Sequence, residues 1–176
     1  VLFGWNSDLE RRDVFEENLR TVARLGRSMV LLRCLQPPED VHSLPPGSID
    51  VWWMGKGPNG HLMLLLAHVL CSVPDMRGRT IRLIRMLANE AGREESLAHL
   101  QQLSAEVRIP CEAAVVIGDD FTPTLRRESA QAALVLLGIA DPREQDAGFV
   151  GHLDTLVGEL PNVLFVYSAG DMSLHA

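Results

Sequence analysis

Apolar and polar positions follow two different periods along this chain, and the switches between them mark its elements. VLFGW (1–5) is a short apolar run that reads as a strand. Behind it, Val14, Leu19, Val22 and Leu25 supply a helical apolar stripe, so a helix is predicted from a cap at Ser7 or Asp8 to about Leu25, with Gly26 as its stop. MVLLRC (29–34) is the next strand. QPPEDVHSLPPGS reads as a loop, because its two Pro-Pro pairs enforce extended backbone and remove donors. IDVWWM (49–54), β-branched and aromatic, is a strand, followed by a glycine turn and an apolar helix from Gly60 to about Val73. TIRLIRML (80–87) is a strand, Glu94 to about Val107 a helix, and AAVVI (113–117) a buried strand with Pro110 at the junction. Thr122 followed by Pro123 predicts the cap and first residue of a helix reaching Ala133. LVLLG, a short helix from about Gly148 to Leu160, and NVLFVYS complete the series.

Strands that alternate with helices and read as continuous apolar runs predict an α/β fold, doubly wound, with a mostly parallel sheet covered by helices on both faces. A length of 176 residues suits one domain, 1–176, with a single core. Ligands of such sheets bind beyond the carboxyl ends of the strands, which directs attention to the loops at 6–8, 55–60, 87–92, 118–121 and 139–147.

Composition narrows the partners. With 47% hydrophobic and 22% charged residues the chain is a folded one. A net charge of -7 offers no phosphate-neutralising surface, so no nucleic acid is expected. Cys34, Cys71 and Cys111, widely spaced and without a C-x-x-C, suit unpaired thiols in a reducing compartment. The best membrane candidate, 62–70, is far shorter than the roughly 18–20 residues needed to span a bilayer and is broken by His68, so this segment is not expected to insert. Val1 lies inside a strand-like run, and the chain is expected to be part of a longer polypeptide.

The candidate chemistry centres on Gly55, Gly57 and Gly60, which form a G-x-G-x-x-G around Lys56, the only lysine. Such glycines let a backbone approach a pyrophosphate at a helix N-terminus. A dinucleotide site also wants an acidic residue roughly 20 residues further on, at the end of the next strand. Here Glu90 lies 30 positions beyond Gly60, past that strand. A plain strand-to-helix turn is the preferred reading, and Gly55, Lys56, Gly57, Gly60 and Asp119 remain as candidate nucleotide contacts. His61 and His68, seven apart, share a helix face but have no third ligand, so no metal is assigned. Asp119 and Asp120 could hold Mg²⁺ or orient a hydroxyl, yet they also suit the positive start of the following helix. No G-x-S-x-G or H-E-x-x-H occurs, and no catalytic residue, cofactor or enzymatic activity is expected. Trp52 and Trp53 occupy adjacent strand positions and are predicted to point to opposite faces.

The run PPGSIDVWWM, with its turn and the following HLMLLLAHVL, resembles the signature of the C-terminal cytosolic domain of cation-chloride cotransporters, the sodium-potassium-chloride and potassium-chloride symporters of the amino acid-polyamine-organocation superfamily. VLFGW, RTIRLIRML, LVLLG and FVGHLDTLVGELPNVLFVYSAG agree in order, so the likeness covers nearly the whole chain, and its compact loops suit a prokaryotic relative. The resemblance implies a universal-stress-protein-like fold, a transmembrane transporter domain upstream of Val1, and a place on the cytoplasmic side of the membrane. It also implies a regulatory and homodimerising role without catalysis, with Ile49, Asp50, Val51, Trp52 and Trp53 as structural signature residues. Two departures stand out. The Gly55–Gly60 turn replaces the charged or His-Asp-Gly-Gly type of the family, and the long regulatory insertion of animal members is missing before the helix that ends near Ala133. The Gly-Ser or Gly-Thr pair of ATP-binding universal stress proteins has no counterpart after LVLLG, where 139–147 lead to Gly148 and Phe149.

Overall fold

The computed structural model describes residues 1–5, 11–35, 45–54 and 58–170. In chain order they form β1 (Leu2–Gly4), α1 (Arg12–Arg24), β2 (Met29–Cys34), β3 (Ile49–Trp52), α2 (Asn59–Cys71), β4 (Ile81–Leu87), α3 (Arg93–Val107), β5 (Glu112–Ile117), α4 (Phe121–Glu128), β6 (Leu134–Gly138), α5 (Phe149–Val157) and β7 (Asn162–Tyr167). Single 3-10 turns sit at Pro74–Met76 and Pro142–Glu144.

The strands make one sheet in the order β1-β2-β7-β6-β3-β4-β5. β7, β6, β3, β4 and β5 are mutually parallel, as a βαβ chain requires. β1 is parallel to β2, but β2 meets β7 antiparallel, with Met29 opposite Tyr167 and Cys34 opposite Asn162. The first two strands therefore run against the other five, and the carboxyl end of β1 points the opposite way from that of β3. That corrects the grouping of loop 6–8 with the carboxyl-end loops of the main sheet. The loop itself, like the predicted caps Ser7 and Asp8, lies outside the described residues.

Instead of the single core expected, two cores lie on the two faces, because the sheet separates the apolar sides of its strands. One joins Phe15, Leu19 and Ala23 of α1, Leu125 of α4 and Phe149, Val150 and Val157 of α5 to Leu31, Trp52, Val135 and Phe165. The other joins Leu62, Met63, Leu64 and Ala67 of α2 and Leu100 and Leu103 of α3 to Ile49, Val51, Leu83, Leu136 and Val166. The α/β architecture with a mostly parallel sheet and helices on both faces is thus the observed one.

Two helix ends differ from the expectation. α4 is capped by Asp120, whose carboxylate accepts the Thr122 N–H at 3.0 Å, and Thr122 itself is helical. α4 also stops at Glu128 rather than Ala133, because the buried Ser129 hydroxyl is tied to β3 and the chain must turn into β6 at Leu134. α5 stops at Val157, before the expected Leu160, where Gly158 takes a positive φ of 53°.

Candidate functional site

The signature strand β3 lies in the middle of the sheet, between β6 and β4. Alternation sends Ile49, Val51 and Trp53 into the α2/α3 core, while Trp52 enters the core beneath α1, α4 and α5. The two tryptophans do point to opposite faces, and both are buried, at 0% and 5% exposure. Asp50 is a fully buried carboxylate in an otherwise apolar strand. Such a group must be paired and hydrogen-bonded. Its Oδ1 accepts from Ser48 Oγ at 2.6 Å, and its Oδ2 accepts from Ser129 Oγ at 2.7 Å and from Arg82 Nη1 at 3.1 Å. Arg82 is the direct register partner of Asp50 on β4, and it also donates to the Glu128 carbonyl at 3.3 Å. Trp52 Nε1 donates to the same Ser129 Oγ at 3.0 Å, and the Trp52 ring meets Phe121 edge-on at 5.3 Å. One strand thereby holds both ends of α4.

On the other face the Trp53 ring lies against Gly60, where a Cβ would overlap ring carbons Cζ3 and Cη2, and His61 packs edge-on to it at 5.8 Å. Gly60 is therefore required by close approach of a side chain at the first turn of α2. Gly55, Lys56 and Gly57 lie outside the described residues.

A doubly wound sheet opens its crevice where the strand order reverses. The chain runs from β3 outward through β4 to β5, then returns to β6 and β7 on the other side, so the reversal lies between β3 and β6. Asn59, the first residue of α2, spans it. Its amide nitrogen donates to the Ile139 carbonyl at 2.8 Å and its oxygen accepts the Ser168 N–H at 2.7 Å. Gly138 lets it sit there, since a Cβ at that position would come within 3.0 Å of the Asn59 side chain. Asp119 is exposed beyond β5, two strands from β3, so about 10 Å of sheet separates it from the α2 start. The structure does not bring Gly60 and Asp119 together. Glu90 is exposed and paired with Arg93 at 3.0 Å.

Beyond β6, Asp141 accepts from Arg143 and, at 3.2 Å, from the Tyr167 hydroxyl. The Arg143 hydrogen bond lowers the Asp141 pKa from its ordinary 3.8 to about 2, while burial and the Asp141 charge raise that of Tyr167. Burial raises the thiols of Cys34, Cys71 and Cys111, all unpaired. Among the described residues no group of three or more His, Cys, Asp or Glu is placed to hold a metal, and no helix is long and apolar enough to cross a membrane.

Asn59, Ser129 and Arg82 join the site only through the structure. The signal for the last two was present: a lone Asp in IDVWW demands buried partners, and the arginines of TIRLIRML recur in the adjacent strand. Asn59 carried no such mark inside its glycine-rich turn.

No family model and no curated protein sequence matches the chain. Among solved structures it is similar to the cytoplasmic domain of a prokaryotic cation chloride cotransporter, with a TM-score of 0.70 and 17% identity over 98% of this chain and 65% of that one. The chain thus spans about two thirds of that domain's length and shares its fold.

Proposed function

We propose that this chain is the cytosolic regulatory and dimerisation domain of a membrane cation-chloride cotransporter, without catalysis of its own. The observation that carries the reading is the likeness in fold over 98% of the chain. The IDVWW signature supports it, because every one of its residues is committed to packing or to the Asp50 network rather than to an open site. Its partners are the transmembrane domain of the same polypeptide and a second copy of the chain, on the cytoplasmic side of the membrane. Tethering raises the effective concentration of two such tails to roughly millimolar, so weak intrinsic affinity suffices.

The test uses the whole polypeptide that carries this chain, reconstituted in vesicles, with and without residues 1–176. The expected result is chloride-dependent cation flux from the membrane part, and a subunit cross-link that weakens when the domain is deleted. A polypeptide with no membrane-spanning helices would overturn the reading. The second reading is a nucleotide-binding sensor of the universal-stress-protein type. It is favoured by the start of α2, at Asn59 and Gly60, lying beside the strand-order reversal, and the Asn59 bridge across that crevice weighs against it.

A further inference from the structure

α5 has no capping side chain of its own. Its nine residues begin after Gly148, which has no side chain to cap them, with no acidic residue in the first turn and no basic residue in the last. A helix this short is not stable by itself, and its free N–H and C=O groups need partners. They come from elsewhere. Glu16 of α1, 1% exposed, accepts the Gly148 N–H and the Val150 N–H, each at 3.0 Å, as an anion at the positive end of the helix. Arg20, one turn along α1, donates to the Gln145 and Asp146 carbonyls at 3.3 Å and lies 5.6 Å from the centre of the Phe149 ring. At the other end Arg33 of β2, 6% exposed, reaches Asp154 at 2.7 Å, the Gly158 carbonyl at 2.7 Å and the Leu160 carbonyl at 3.0 Å. Arg126 of α4 adds bonds to the Leu156 and Thr155 carbonyls.

Three of these four charged groups belong to β1–α1–β2, the unit whose strands run against the rest. That unit joins the main sheet through one ladder, β2 to β7. We propose that β1–α1–β2 and α5 form a latch: α5 is fully helical only while the unit is docked, and the two open together, ahead of β3, β4 and β6. Glu16 holds the N–H groups at the start of the helix, and Arg20 and Arg33 hold the flanking carbonyls and the Asp154 carboxylate, so these contacts are lost together when the unit moves by a few ångströms. The device gives the domain a second conformation that leaves the β3 network intact.

Hydrogen exchange read by mass spectrometry on the full chain tests this, comparing the parent with Glu16→Gln and with Leu103→Ala, a core truncation on the opposite face. In Glu16→Gln, peptides from α1 and α5 should both exchange faster by about ten-fold or more, with α4, β3 and β6 unchanged. Leu103→Ala should speed exchange on the α2/α3 face without that pairing. Faster exchange of α5 with α1 unmoved, or a Glu16→Gln pattern identical to that of Leu103→Ala, overturns the latch. Should Glu16→Gln fail to fold, the parent in mild denaturant decides. α1 and α5 sharing one opening below that of β3 supports the latch, and α5 opening only with the sheet refutes it.

Discussion

α4 and α5 lie side by side on one face of the sheet, are of nearly equal length, and are held in opposite ways. α4 carries its own start signal: Asp120 caps it, and its far end is fixed at Ser129 by Asp50 and Trp52 of the central strand. α5 carries no start signal and depends on Glu16, Arg20 and Arg33 from the reversed unit, with Arg126 of α4 on its last carbonyls. The lesson concerns what each helix depends on. α4 stands or falls with the signature strand at the centre of the core, while α5 reports whether the outer unit is docked.

The largest effect should come from the anchor of α4. Trp52→Ala removes a fully buried indole and its bond to Ser129, and should cost on the order of 3–5 kcal/mol in chemical denaturation. The contrast with its neighbour is sharper than the value. Trp53 makes no hydrogen bond through its indole N–H among the described residues, so Trp53→Phe should cost measurably less than Trp52→Phe, which also strips a donor from the Ser129 hydroxyl. Equal costs would mean that the Asp50 network does not hold α4.

A smaller effect belongs to the cap. Asp120→Ala should lower stability by about 1 kcal/mol, with faster exchange confined to the first turn of α4. Spread of that change into α5 would erase the distinction between the two helices.

The smallest is a pH dependence beside the α5 entrance. Because the folded pKa of Asp141 is depressed to about 2 from 3.8, its contribution is complete above the ordinary value and is lost as pH falls through about 2. The melting temperature of Asp141→Asn should therefore lie slightly below the parent at pH 6, and the gap should close as the pH is lowered from about 4 to 2. A gap independent of pH would mean the carboxylate charge contributes nothing there.

Much of the fold was legible because long apolar runs and helical stripes override local detail. β2 and β6 begin and end where MVLLRC and LVLLG do, and the helix-on-both-faces architecture follows from strands that are apolar on both sides. The direction of β1 and β2 was not legible, since an apolar run reads the same for a parallel and an antiparallel neighbour. Glu16 and Arg33 were equally silent. A charged residue on a helix or strand reads as solvent-facing until its partner is known, and theirs are backbone groups more than 120 positions away. At the candidate site, Gly55, Lys56 and Gly57 lie outside the described residues, and Gly60 is shaped by the Trp53 ring. Asn59, fifth of the six residues of a word dominated by glycine, cannot be distinguished from turn filler by residue type.

The claim that the glycine turn is a structural junction in a regulatory domain is tested most directly by calorimetric titration of the full chain with ATP. The account predicts no saturable heat up to roughly millimolar nucleotide, where a Kd would already correspond to only about 4 kcal/mol of binding. A micromolar Kd abolished by Lys56→Ala or Gly57→Asp would contradict it and establish the sensor reading in its place.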